Sequence, residues 1–74
     1  MNIGVHWIIK DQPGSTIDLI EDELRDITNC GVCRTETLNE KKHYDATYIV
    51  KGEIGAEDLA EACHFMDEQG AFPV

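Results

Sequence analysis

The stretch STIDLIEDELRDITNCG, running from Ser15 to Gly31, decides how this chain folds. Ile17, Ile20, Leu24 and Ile27 recur at helical spacing and form one apolar stripe. Leu19 falls off that stripe and is expected at the surface. Ser15 is placed to cap the first turn, with Asp18 three residues on in a variant of the capping box. Gly31 is placed to stop the helix in a left-handed conformation. Asp18, Glu21, Asp22, Glu23 and Asp26 occupy the flanks and back. One segment thus supplies half of a core and a dense acidic face.

On its N-terminal side, Asn2–Lys10 alternates as a strand. Ile3, Val5, Trp7 and Ile9 share one face, and Gly4, His6 and Ile8 the other. Ile8 makes the second face partly apolar, which puts this strand in the middle of a sheet. Gln12-Pro13-Gly14-Ser15 then reads as a turn, with proline second and glycine, tolerant of positive φ, third.

On its C-terminal side, Val32–Leu38 is a threonine-rich strand. Asn39-Glu40-Lys41-Lys42 is a polar hairpin loop, and His43–Lys51 is a strand of clear alternation. Tyr44, Ala46, Tyr48 and Val50 face one way; His43, Asp45, Thr47 and Ile49 face the other. The register of this hairpin has two solutions. An even loop sets Cys33, Thr35 and Thr37 beside the tyrosines, and a three-residue loop sets Arg34, Glu36 and Leu38 there. A second helix follows from Ala56 to about Gln69. Gly55 is its cap, and Leu59, Ala62, Cys63 and Met66 form its inner stripe. Gly70 ends it. Ala71–Val74 is a last short strand, which Pro73 confines to an edge.

The order β-α-β-β-α-β with right-handed crossovers closes into an α+β, ferredoxin-like sandwich. This predicts a single domain over residues 1–74 with a four-stranded antiparallel sheet in the order 4-1-3-2. Both helices are expected on one face. A chain of 74 residues has room for one core, worth roughly 3–5 kcal/mol.

Net charge is −9, which opposes direct binding to nucleic acid or an anionic membrane and favours a basic protein partner. The predicted helices carry ten acids against one base, Arg25, while the remainder balances at five and five. The expectation is therefore an acidic helical face that engages a basic groove, with Asp18, Glu21, Asp22, Asp26, Glu57, Asp58 and Glu61 as partner-binding residues. Carboxylates on two parallel ridges can imitate a run of phosphates and compete with nucleic acid. In size and charge the chain resembles the small acidic inhibitors that phages make against nucleic-acid-handling enzymes, including anti-CRISPR proteins.

Asp11-Gln12-Pro13-Gly14 after the first strand, and Asn29-Cys30-Gly31-Val32 before the second, resemble the ACT domain, a regulatory module of this topology. That resemblance implies an amino acid or similar small effector held near Asp11, Gly14 and Asn29 at a dimer interface.

Three cysteines, Cys30, Cys33 and Cys63, are too few and odd in number for a secreted disulfide scaffold, so a cytoplasmic setting is expected. Cys30-Gly31-Val32-Cys33 lies at a helix C-terminus, where the dipole opposes thiolate formation, so it reads poorly as a redox pair. A metal site would need Cys63 and His64 brought to it, and buried structural thiols are the expectation instead. His6, His43, Asp45 and Thr47 fall on the open sheet face, with no nucleophile, oxyanion site or phosphate-binding glycine loop beside them. No catalytic residue and no cofactor is expected. Ile8 and Ile49 on that face point to dimerisation or contact with a partner.

Overall fold

A computed structural model describes residues 2–74 and the side-chain surroundings from Val5 onward. The sequence-based placements of the Met1, Asn2, Ile3 and Gly4 side chains lie outside the described residues. The elements are β1 (Asn2–Gln12), α1 (Gly14–Thr28), β2 (Gly31–Leu38), β3 (Tyr44–Glu53), α2 (Ala56–Glu68) and β4 (Phe72–Pro73). The architecture is α+β, an open antiparallel sheet of four strands with two helices. Its strand order is β2-β3-β1-β4. Counted from the β4 edge, that order runs 4-1-3-2.

The two strands with the most apolar alternation, β1 and β3, are the inner ones. β1 and β3 pair with Val5 opposite Val50, Trp7 opposite Tyr48 and Ile9 opposite Ala46. Directly opposed residues share a face. These side chains therefore form one sheet face, and Trp7, Ile9, Ala46, Tyr48 and Val50 on it are buried. Ile17, Ile20 and Leu24 of α1 and Ala62 and Met66 of α2 join them in one continuous cluster. Leu19 is 65% exposed, as its position off the stripe requires. The Tyr48 hydroxyl donates to the Ile17 carbonyl at 2.8 Å, which ties α1 to β3 through the core. Burial pushes the Tyr48 phenol well above its ordinary pKa.

Both ends of α1 differ from the sequence reading. Pro13, in an extended conformation, is the N-cap, and no side chain caps the helix, so Ser15 does not act as expected. Proline supplies a fixed φ just ahead of a helix that begins at Gly14. Gly14 itself takes no positive φ; the left-handed residue in this region is Asp11, at φ 58°. There β1 bulges, so that Lys10 and Asp11 together span the step between the Ile9–Ala46 and Gln12–Tyr44 pairs. A Cβ on Gly14 would sit 3.2 Å from the Tyr44 ring, so this residue is small because the aromatic packs over it.

At the other end, Asn29 takes the left-handed conformation, at φ 51°, and donates its N–H to the Arg25 carbonyl. The helix stops two positions before Gly31, which is already in β2. Asparagine tolerates this conformation better than other side chains. α2 matches its reading more closely. Gly55 is its N-cap, and Gly70 at φ 80° lets Ala71 donate back to the Met66 carbonyl at 3.0 Å. Cys63, however, is exposed, and half-buried Phe65 packs on the core instead.

The hairpin takes the facing of the second solution, Arg34, Glu36 and Leu38 beside the tyrosines, but through a five-residue loop rather than a three-residue one. Five residues, Asn39 to His43, separate the Leu38–Tyr44 pair. Arg34 then lies opposite Tyr48, and Glu36 opposite Ala46. Asn39 shapes this loop. Its side-chain oxygen accepts from the backbone of Lys41 and His43 at 2.9 and 3.0 Å.

Candidate functional site

The hairpin register turns Arg34 toward the helices, and this redistributes charge. Its guanidinium lies 2.6 Å from Asp18, 3.3 Å from Glu21 and 3.4 Å from Glu36. The hydrogen bond to Asp18, with Glu21 and Glu36 near it, raises the Arg34 pKa further. Glu21 is also held by Arg25 at 2.7 Å. The expectation that the helical layer keeps all the surplus charge unrelieved is therefore corrected. A base from β2 reaches into that layer and offsets part of the charge on its β2-facing flank, at Asp18 and Glu21.

The rest of the acidic layer is different. A groove of about 420 Å³ runs between α1 and α2, lined by Glu23, Asp26, Ile27, Glu61, Phe65, Glu68 and His64. Asp26 and Glu61 are thus brought to one place from the two helices. Among the described residues, Glu23, Asp26 and Glu61 are in no ion pair, while Glu68 lies 2.7 Å from His64 Nε2, one turn away on α2. Asp22 is exposed on the back of α1, and Glu57 and Asp58 are exposed in the first turn of α2. These three are outside the groove.

Glu68 and Phe65 are not singled out by the sequence, Glu23 is read there only as one of the acids on the flanks of α1, and His64 only as a candidate metal ligand. The signal was present, since 23, 26 and 27, and 61, 64, 65 and 68, each mark one side of a helix. What the pattern lacks is which side faces the other helix.

The groove has carboxylates at its rim and the partly buried Ile27 and Phe65 packed against the core beneath. It suits a lysine or arginine side chain, whose methylenes lie on the apolar floor while the cationic head meets the rim.

Other candidates are dispersed. Asp11 and Gly14 flank the start of α1 and Asn29 its end, so about 22 Å of helix separates them at the standard rise. One copy of the chain does not gather them around a ligand. Asp11 serves the bulge: its N–H donates to Asp45 at 2.9 Å, and its carboxylate accepts from the Asn39 amide at 3.0 Å. That hydrogen bond, aided by Lys41 and His43, holds the Asp11 carboxyl below its ordinary range.

The thiols are also apart. Cys33, opposite Ile49, is exposed on the open sheet face, Cys63 is exposed on α2, and Cys30 is half-buried, its thiol 3.3 Å from the Glu53 carbonyl. Buried structural thiols do not describe Cys33 and Cys63. Among the described residues no group of histidine, cysteine and carboxylate side chains is arranged to hold a metal, so Cys30, Cys33, Cys63 and His64 do not form a ligand set. On the open face His6 lies opposite Ile49, and Thr47 opposite Ile8, which separates the histidine from Asp45. Among the described residues no helix is long and apolar enough to cross a membrane.

No protein-family model, no curated protein and no solved structure matches this chain.

Proposed function

We propose that this chain is a small, non-enzymatic binding protein with a ferredoxin-like sandwich fold, whose acidic helical layer engages a basic protein. The observation that carries this reading is the groove between α1 and α2, where Glu23, Asp26 and Glu61 have no cationic partner among the described residues and lie above Ile27 and Phe65. Holding like charges together costs stability in a small domain. A row of lysine or arginine side chains would relieve that cost and cover the floor. Asp22, Glu57 and Asp58 extend the field outside the groove, whereas Asp18 and Glu21 contribute less because Arg34 already offsets them.

The partner class this favours is a cytoplasmic nucleic-acid-binding protein. Its basic channel already accepts a row of anions, and this chain would act as a competitor for it. Affinity capture with the immobilised protein, followed by binding measurements on the captured species, tests the reading. Replacing Asp26, Glu61 and Glu68 together by lysine should abolish capture at about 0.15 M salt without altering the circular dichroism. Captured partner should also release bound nucleic acid when the wild-type protein is added. Undiminished binding by the triple variant would refute the electrostatic mode.

A further inference from the structure

β2 is an edge strand of eight residues, paired to β3 from Gly31 to Leu38 without a bulge. Among the described residues, none bonds to its outer backbone groups along that length. Edges of this kind are ordinarily blunted by proline, a bulge or charged side chains; GVCRTETL has no proline and no bulge, and its two charges, Arg34 and Glu36, are of opposite sign. The opposite edge, β4, has two residues, one of them Pro73.

We infer that β2 pairs antiparallel with β2 of a second copy, about a two-fold axis at Thr35, to form a continuous eight-stranded sheet. The argument is the charge pattern. A two-fold axis normal to the sheet keeps both helical layers on one side, so residues of like facing must oppose each other. The axis then has to pass through a residue rather than between two. Centred on Arg34, it sets arginine against arginine; centred on Glu36, it sets glutamate against glutamate. Like charges directly opposite are destabilising. Centred on Cys33, it shortens the overlap and leaves Arg34 opposite Val32. Centred on Thr35, every pair is compatible. Arg34 meets Glu36 of the second copy, and Glu36 meets its Arg34. Half-buried Val32 meets Leu38, which is 57% exposed in one copy. Cys33 meets Thr37, and Thr35 meets itself.

This register makes one self-complementary interface of the isologous kind. It accounts for an exposed Leu38 at the end of an otherwise polar strand. It also draws the two acidic layers together on one side, with both Arg34 side chains near the axis. It does not depend on the partner proposed above.

Sedimentation velocity on reduced protein tests it. The area covered is smaller than a standard interface, so the weight-average mass should rise from monomer toward dimer between roughly 10 and 500 µM. Glu36→Arg should weaken the dimer about tenfold or more, because both attractive pairs become repulsive. Thr37→Cys reads the register directly and changes only an exposed side chain. Within one copy, positions 33 and 37 are about 13 Å apart along the strand, too far for a disulfide. Mild oxidation should therefore give a covalent dimer whose bond joins Cys33 of one copy to the introduced cysteine at position 37 of the other. A monomer throughout the concentration range would overturn the proposal. So would crosslinking of that variant through Cys30 or Cys63 instead.

Discussion

Asp11 holds a conformation that most side chains avoid, and its surroundings explain how. Its φ of 58° carries strain of about 1 kcal/mol or more. Four partners fix it there: Asp45 on its backbone, and Asn39, His43 and Lys41 on its carboxylate. The Asn39 amide is the largest cause of the lowered Asp11 pKa. A carboxyl whose folded pKa is depressed stabilises the fold fully above its ordinary value, here 3.8. That contribution fades as pH falls below 3.8 and is gone below the folded pKa. In Asn39→Ala, a carbon-detected NMR titration should show the Asp11 pKa moving up toward 3.8, and the acid limb of the unfolding curve should become shallower. An unmoved titration would mean that the asparagine is not the anchor. The sequence singled out Asp11 within a turn motif, but its role as the left-handed residue of a bulge needed the β1–β3 pairing.

Among the elements, α1 shows how local rules compete. Ser15, Asn29 and Gly31 are all good terminus residues, and the chain uses only Asn29. Pro13 enters the helix directly, so Ser15 falls inside its first turn. Gly31 is needed for β2, where it pairs with Lys51. With Asn29 at φ 51°, Asn29→Gly should leave stability unchanged or slightly higher. Asn29→Ala should cost about 1 kcal/mol, seen as a fall of about 4–8 °C in Tm. Equal loss in both variants would assign the asparagine a role beyond its backbone conformation. The β2–β3 hairpin is the other lesson at this scale. Its loop length sends Arg34 rather than Cys33 to the helix side, and with it the one base that reaches Asp18, Glu21 and Glu36.

For the whole molecule, charge and topology act together. The helices carry ten of the acids against one base in a chain of net charge −9, and both bury apolar side chains in one core cluster with β1 and β3. Their mutual repulsion is screened by salt, whereas the buried stripe is indifferent to it. Tm should therefore rise by a few degrees between about 20 mM and about 0.5 M sodium chloride. A fall would show that the Arg34 and Arg25 pairs outweigh the repulsion of the groove.

Periodicity by itself determined the element order, the central place of β1 and β3, and the stripe Ile17, Ile20 and Leu24. It also marked Leu19 as exposed and Gly55 and Gly70 as the bounds of α2. These depend on neighbours within a turn or two of backbone, so they are written locally. Tertiary structure alone decided the hairpin register, the Asp11 bulge, the exposure of Cys63 and the pairing of Glu23 and Asp26 with Glu61 across the helices. Each of these turns on contacts between residues distant in sequence. A slip of one residue in a strand, or a modest rotation of a helix, exchanges inside for outside without changing the local pattern.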